Sequence, residues 1–365
     1  MKVECVKDKI KDAVGIAEKA TGKNLTLPIL SSLLFIVKDK LLRIRATNLD
    51  LGIEIKIPAK IEQEGITAVP GNILNNLLSG IHNKTVHFEL KNDNLFVSTK
   101  NIKTLIKSFP YQDFPTLPHI KNNNPFSIDA QKFVAGLKSV SYSASLSDIK
   151  PEISSIYIYT DSGNIILAAT DSFRLAEKKI QIGDNQQFPS IIVPLKNALE
   201  IIRILDTISG NVDIHFDKNQ ISFLSDNIYI TSRLIDGIFP DYKQIIPKEF
   251  TTEATLLKQD IFDALKISNI FSDKLNQIDF HVNPKENIFS ISSRNADIGE
   301  NTTHLDAALS GSELKLSFNY RYLVDCFSSI TKDSVILQFS GEARPLVMRG
   351  VGDKSFMYLV MPLNK

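Results

Sequence analysis

"IVPLKNALEIIRIL" (192–205) is an apolar lead broken by one proline and followed by apolar residues three and four apart. The lead suits a buried strand, and the spacing suits one face of a helix. Pro194 fits a helix first turn, where its missing N–H costs nothing. The same construction recurs as "AVPGNILNNLL" (68–78) and "LSFNYRYLVDCF" (316–327). Pro70 and Pro194 stand 124 residues apart, and Phe318 follows by another 124. A step that long predicts a tandem duplication of whole domains rather than a solenoid of short repeats.

The copies agree further outward. "TVHFELKNDNLFVS" (85–98), "NVDIHFDKNQISFLS" (211–225) and "SVILQFSGEARPLVM" (334–348) alternate, turn on polar residues and alternate again. That pattern predicts three β-hairpins. Ahead of the helices lie "KDKLLRIRATNLDL" (38–51), "DSGNIILAATDSFRL" (161–175) and "KENIFSISSRNADIG" (285–299), with Ala46, Ala169 and Ser292 at equal steps of 123. Each copy opens with a helical stretch, over 6–21, 130–146 and 258–271. Two proline-punctuated joints, "FPYQDFPTLP" (109–118) and "FPDYKQIIP" (239–247), separate the copies, since proline disfavours both helix and central strand. The expectation is an α+β chain of three tandem similar domains, 1–120, 126–248 and 252–365.

Composition narrows the function. Of 365 residues, 43% are hydrophobic and 23% charged, as in ordinary globular proteins. No apolar run approaches the ~20 residues of a membrane helix, and "MKVECVKDKIKD" has no signal core. No membrane partner and a cytoplasmic location are expected. Cys5 and Cys326 form no framework and read as reduced thiols. The formal charge is +1, without the basic excess of a tight nucleic-acid binder. The helical stretches are nonetheless net positive and the remainder net negative.

Signs of chemistry are scarce. The six histidines are scattered without metal-ligand spacing, so no metal and no cofactor are expected. There is no Gly-x-Ser-x-Gly elbow. "GVGDKS" (350–355) lacks the glycine before Lys-Ser and the following helix that a phosphate loop needs, and reads as a hairpin turn. "AATDSFRLAEKK" (168–179) sets Thr170, Asp171, Ser172 and Arg174 in a polar break that all three copies share. It reads as a turn held by Asp171. Phe173, Arg174 and Leu175 beyond it are peculiar to the middle copy, as a binding site would be.

At "TLPILSSLL" (26–34), "ATNLDL" (46–51), "VPGN" (69–72), "AATDSFRLA" (168–176), "VPLK" (193–196), "DGIFPDY" (236–242) and "VMPL" (360–363), the chain resembles the bacterial DNA polymerase III beta subunits, the replication sliding clamps. The resemblance implies a non-catalytic head-to-tail homodimer forming a ring, with helices lining the hole and sheets outside. It implies loose, sequence-independent binding of double-stranded DNA, through Lys11, Lys23, Asn72, Lys196 and Arg203. The dimer interface would involve Lys103, Ile270 and Phe271. Implied partners are a clamp loader, the replicative DNA polymerase and other proteins bearing a clamp-binding motif. Their peptides would enter a pocket walled by Thr170, Ser172, Phe173, Arg174, Leu175, Pro240, Ile245, Asn319, Tyr322, Leu359, Val360, Met361, Pro362 and Leu363. There Leu175, Met361 and Leu363 would offer apolar area, and Arg174 would take a peptide carbonyl or carboxylate. Gln244 stands where the family often has arginine, and Phe173 where histidine is common. "TGKNLTLP" (21–28) lacks an arginine often found there, leaving Lys23 as the nearest positive charge. The competing readings are a non-ring adaptor of tandem β-rich domains that binds peptides but not DNA, and a hydrolase.

Overall fold

The computed structural model describes residues 1–22, 26–120, 125–183 and 188–363. They fall into two compact units, one of Met1–Gln131 with Leu199–Leu234, the other of Lys132–Ala198 with Ile235–Lys365.

In the first unit, helices α1 (Lys7–Glu18) and α2 (Gly71–Ser79) pack against each other. Ile10, Ala13, Val14 and Ala17 of α1 are buried, the three- and four-residue spacing of a one-faced helix. Pro70 precedes α2 as its N-cap instead of entering its first turn. α1 stops at Glu18, short of the predicted end, because Lys19, Ala20 and Thr21 bond carbonyls three residues back. An eight-stranded antiparallel sheet runs in the order Phe126–Asp129, Asn211–Phe216, Gln220–Ser225, Ile228–Arg233, Leu51–Pro58, Leu41–Thr47, Ser32–Lys38, Gly65–Pro70. A five-stranded sheet orders Lys60–Gln63, Lys2–Val6, Thr85–Lys91, Asn94–Ser98 and Lys103–Lys107. Phe35 and Phe88, one from each sheet, meet edge to face at 5.9 Å in the core.

The second unit carries a nine-stranded sheet in the order Ile191–Pro194, Ser155–Asp161, Asn164–Thr170, Arg174–Gln181, Phe356–Val360, Leu346–Gly350, Ser334–Phe339, Thr252–Leu257, Ala308–Gly311. Its four-stranded sheet orders Gly299–His304, Ile288–Asn295, Gln277–Asn283 and Leu314–Asn319. Helix α5 (Lys258–Ile270) lies on this smaller sheet and meets the short α6 (Tyr320–Asp325). Phe280 packs against Phe289 and Phe318 at 5.7 and 5.4 Å. Helices α3 (Ala130–Ser141) and α4 (Leu195–Leu205), each with residues in both units, complete the six α-helices among the described residues, and α3 ends before the predicted 146.

All three predicted hairpins are present, and "GVGDKS" is the turn into the strand Phe356–Val360. Two strand pairings hold the repeat together. Leu51–Pro58 of the first copy bonds Ile228–Arg233 of the second, with Glu54 opposite Tyr229. Arg174–Gln181 of the second bonds Phe356–Val360 of the third, with Glu177 opposite Met357. Glu54 and Glu177 are 123 residues apart, so one junction is built twice.

Candidate functional site: a cleft beside the 170–175 turn

The polar break is a turn made almost wholly by its own side chains. Thr170 Oγ1 donates to the Arg174 carbonyl at 2.7 Å and accepts the Ser172 amide. Asp171 Oδ1 accepts the amides of Phe173 and Arg174, both at 3.0 Å. Ser172 sits at φ +79°, a left-handed backbone uncommon outside glycine. The first copy repeats this chemistry: Thr47 donates to the Leu51 carbonyl, Asn48 accepts the amides of Asp50 and Leu51, and Leu49 takes φ +80°.

Arg174 does not reach outward for a ligand, contrary to the expectation from the resemblance. Its Nε donates to Asp171 at 2.9 Å, its Nη1 bonds Asp325, and its guanidinium lies 4.6 Å from the Tyr322 ring centroid. Burial alone would weaken its charge, but Tyr358, Asp325 and Asp171 more than compensate and hold it protonated more firmly than usual. Phe173 is exposed and stacks on Tyr322 at 6.4 Å, so these side chains form a ledge. Asn319 belongs to the helix start: it caps α6 through the Arg321 amide and donates to the Leu275 carbonyl.

Leu175 is also not an open floor. It is fully buried in an apolar cluster with Ala168, Phe239, Tyr242, Val347, Met357 and Leu359. Pairing with Phe356–Val360 covers it, and Thr170, Leu359, Val360 and Pro362 are buried as well. Met361 is one of the partly exposed residues at the cluster's edge, anchored by its amide on the Phe173 carbonyl at 2.8 Å. Pro240 is exposed, and its carbonyl takes the Tyr242 amide.

What the fold leaves open is a cleft of about 700 Å³ lined by Ser172, Met361, the linker from Gln244 to Glu249, and the hairpin residues Ser340 and Ala343–Pro345. Of the walls expected from the resemblance it brings together Ser172, Ile245 and Met361. Pro362 and Leu363 line a second cleft of about 410 Å³ with Lys315, Leu316, Ser317, Glu342 and Ala343. Ala343 is shared by both. The linker wall is held from beneath: Tyr242 donates to the buried Glu177 at 2.6 Å, and the Tyr159 hydroxyl is 2.8 Å from that of Tyr242. Burial and then the Glu177 charge push the Tyr242 phenol far above its ordinary range, so it stays a donor. Lys243 bonds Asp161 at 2.9 Å alongside.

The hairpin residues Ala343, Arg344 and Pro345 were not among the expected walls. "SGEARP" reads as any polar turn, and only the strand order brings it beside Met361. At the expected DNA-facing positions, Lys11 lines a cleft of about 710 Å³ with Lys19, Asn75 and Asn227. Asn72 is exposed at the start of α2. Lys196 pairs with Asp148 at 2.7 Å, and Arg203 pairs with Glu200. Lys23 lies outside the described residues. Lys103 opens the edge strand Lys103–Lys107, Ile270 is exposed at the end of α5, and Phe271 follows it, half-buried.

Sequence models of the DNA polymerase III beta subunit match almost the whole chain: the N-terminal domain at residues 1–118, the central domain at 127–241 and the C-terminal domain at 243–364. The chain belongs to the DNA polymerase III beta subunit family. Like the other members of the family, the chain is a DNA sliding clamp, a non-catalytic processivity factor, built of three tandem domains. The beta sliding clamp of Staphylococcus aureus is 23% identical over 356 residues, covering 95% of this chain and 94% of the relative. The sliding clamp of Bacillus subtilis superposes with a TM-score of 0.95 at 24% identity, over 100% of this chain and 99% of that one. A Pseudomonas aeruginosa clamp solved bound to griselimycin gives 0.94 at 22%, over 100% of both chains. No helix among the described residues is long and apolar enough to cross a membrane.

Proposed function

We propose that two copies of this chain close head to tail into a ring around duplex DNA, in the cytoplasm, with domains bounded at 1–120, 126–248 and 252–365. One observation carries the reading. The two strand junctions within the chain are copies of each other, and the elements for a third are present in different sheets, unpaired with each other among the described residues. Gly299–His304 is the counterpart of Leu51–Pro58 and Arg174–Gln181, since Glu300 follows Glu177 by 123 residues. Among the described residues it is an edge strand with no partner on its outer side, as Lys103–Lys107 is in its own sheet. Lys103–Lys107 is the last strand of the first copy, as Ile228–Arg233 is of the second: Asn94 faces Lys107 as Gln220 faces Arg233. A third junction therefore forms between copies of the chain, and a repeated rotation that closes gives a ring. Carrying the register of Glu54 and Tyr229 across sets Glu300 opposite Lys103. Ile270 and Phe271 add apolar contact beside it.

The ring holds DNA by topology more than affinity. Lys196 and Arg203 are already paired with carboxylates, so Lys11, Lys23 and Asn72 offer only light, non-sequence-specific contact with phosphates. The clamp loader, the replicative DNA polymerase and other motif-bearing proteins dock peptides in the cleft of Ser172, Ile245 and Met361. A clamp of the same fold with griselimycin bound supports a ligand site on this architecture. The test is retention: protein loaded on nicked circular DNA stays bound through gel filtration and leaves when the circle is cut once. Equal half-lives on circle and linear DNA refute the ring.

A further inference from the structure

We infer that Arg344, with Lys248, makes this cleft select peptides that carry an acidic side chain beside their apolar anchor. The inference rests on reading the cleft as the peptide site and adds the chemistry of its ligand. Gln244 is neutral, and its amide donates to Asp241 at 2.8 Å. The Arg174 guanidinium is taken by Asp171, Asp325 and Tyr322. Neither offers a charge to an incoming chain. Arg344 and Lys248 line the cleft, are exposed, and have no ion-pair partner among the described residues.

Arg344 is also held in place. It rides the turn between Ser334–Phe339 and Leu346–Gly350, with Ala343 at φ +56° and Gly341 at φ +107° before it. Pro345 behind it is buried and fixes its own backbone φ. Its planar fork can take a carboxylate through two parallel bonds, which an ammonium cannot. Glu249 is the opposing charge on the same cleft; it offsets the pull of Lys248 on the linker side, so Arg344 on the hairpin dominates the selection. Met361 and Ile245 are apolar surface on the same cleft, so an anchor seated there brings an adjacent carboxylate within reach of Arg344.

The probes are two labelled nonapeptides of glycine and serine, each with one leucine and one phenylalanine; in the second, two serines flanking the leucine become aspartate. Fluorescence anisotropy with the intact protein should show the aspartate peptide binding about twofold to fivefold tighter in low salt. Near 1 M salt, where screening reaches about 3 Å, the advantage should vanish. Arg344→Gln should abolish that preference, and Arg344→Lys should restore only part of it. If both peptides bind equally in low salt, or the preference survives Arg344→Gln, the inference fails while the peptide site stands. If neither binds, the site reading falls and this inference with it.

Discussion

Leu175 and Met361 are neighbours in one cluster, yet their substitutions should be read by different instruments. Leu175 is fully buried, so Leu175→Ala should cost about 2–5 kcal/mol of stability and lower the melting temperature. Met361 and Ile245 are partly exposed on the cleft. Met361→Ala with Ile245→Ala should leave melting close to wild type and weaken a leucine-bearing peptide at least tenfold, at ~0.8 kcal/mol per buried methylene. Calorimetric melting and anisotropy on both variants separate the two roles. Glu54 supplies a pH test. Burial pushes its carboxyl up, but the Arg45 hydrogen bond at 2.6 Å, the Arg45 charge and Lys56 more than offset this, leaving it below its ordinary 4.5. A lowered carboxylate stabilises the fold fully above its unfolded value and loses that contribution as pH falls through the folded one. Stability should therefore decline below about pH 4.5, and Glu54→Gln should flatten part of that decline. At neutral pH the same variant should cost about 3 kcal/mol by leaving Arg45 without its partner. Urea titrations across pH measure both.

At the scale of elements, the edges of the sheets matter most. A free edge invites another strand, and Lys103–Lys107 and Gly299–His304 are two such edges with complementary charges facing in the proposed register. Lys103→Glu or Glu300→Lys alone should raise the dimer dissociation constant about tenfold, because like charges then meet at both interfaces of the ring. Combining the two should return it toward wild type, measured by sedimentation equilibrium; failure of that rescue sinks the register. Much of this level was legible in the sequence. The hairpins and the Asp171 turn depend on local alternation and on short side chains bonding nearby amides, so a few residues determine them. Helix ends were less legible, because α1 closes on a tightened turn that apolar spacing does not encode.

For the whole molecule, the 123-residue step was the informative signal, since it placed Glu54, Glu177 and Glu300 at one position of three junctions. The candidate site was legible only where it is local. Burial of Leu175 follows from pairing with Phe356–Val360, more than a hundred positions away, and the same pairing sets the Arg344 hairpin on one cleft with Ser172. The two internal junctions differ in one telling way. Where the second has Leu175 in the strand, the first has Gly52, and a Cβ there would come within 2.5 Å of Leu117, which its own linker lays into the gap. At the first joint the connecting segment is thus nailed down by a leucine it carries. At the second, Leu175 of the strand fills the core beside Phe239 and Tyr242 of the connecting segment, whose continuation from Gln244 stands up as a wall. Giving position 52 a side chain would evict Leu117 and lift the first linker, so the room such a seam keeps, about 320 Å³ beside Gly52 and Leu117 against about 700 Å³ beside Met361, depends on which piece of chain fills the space next to the strand.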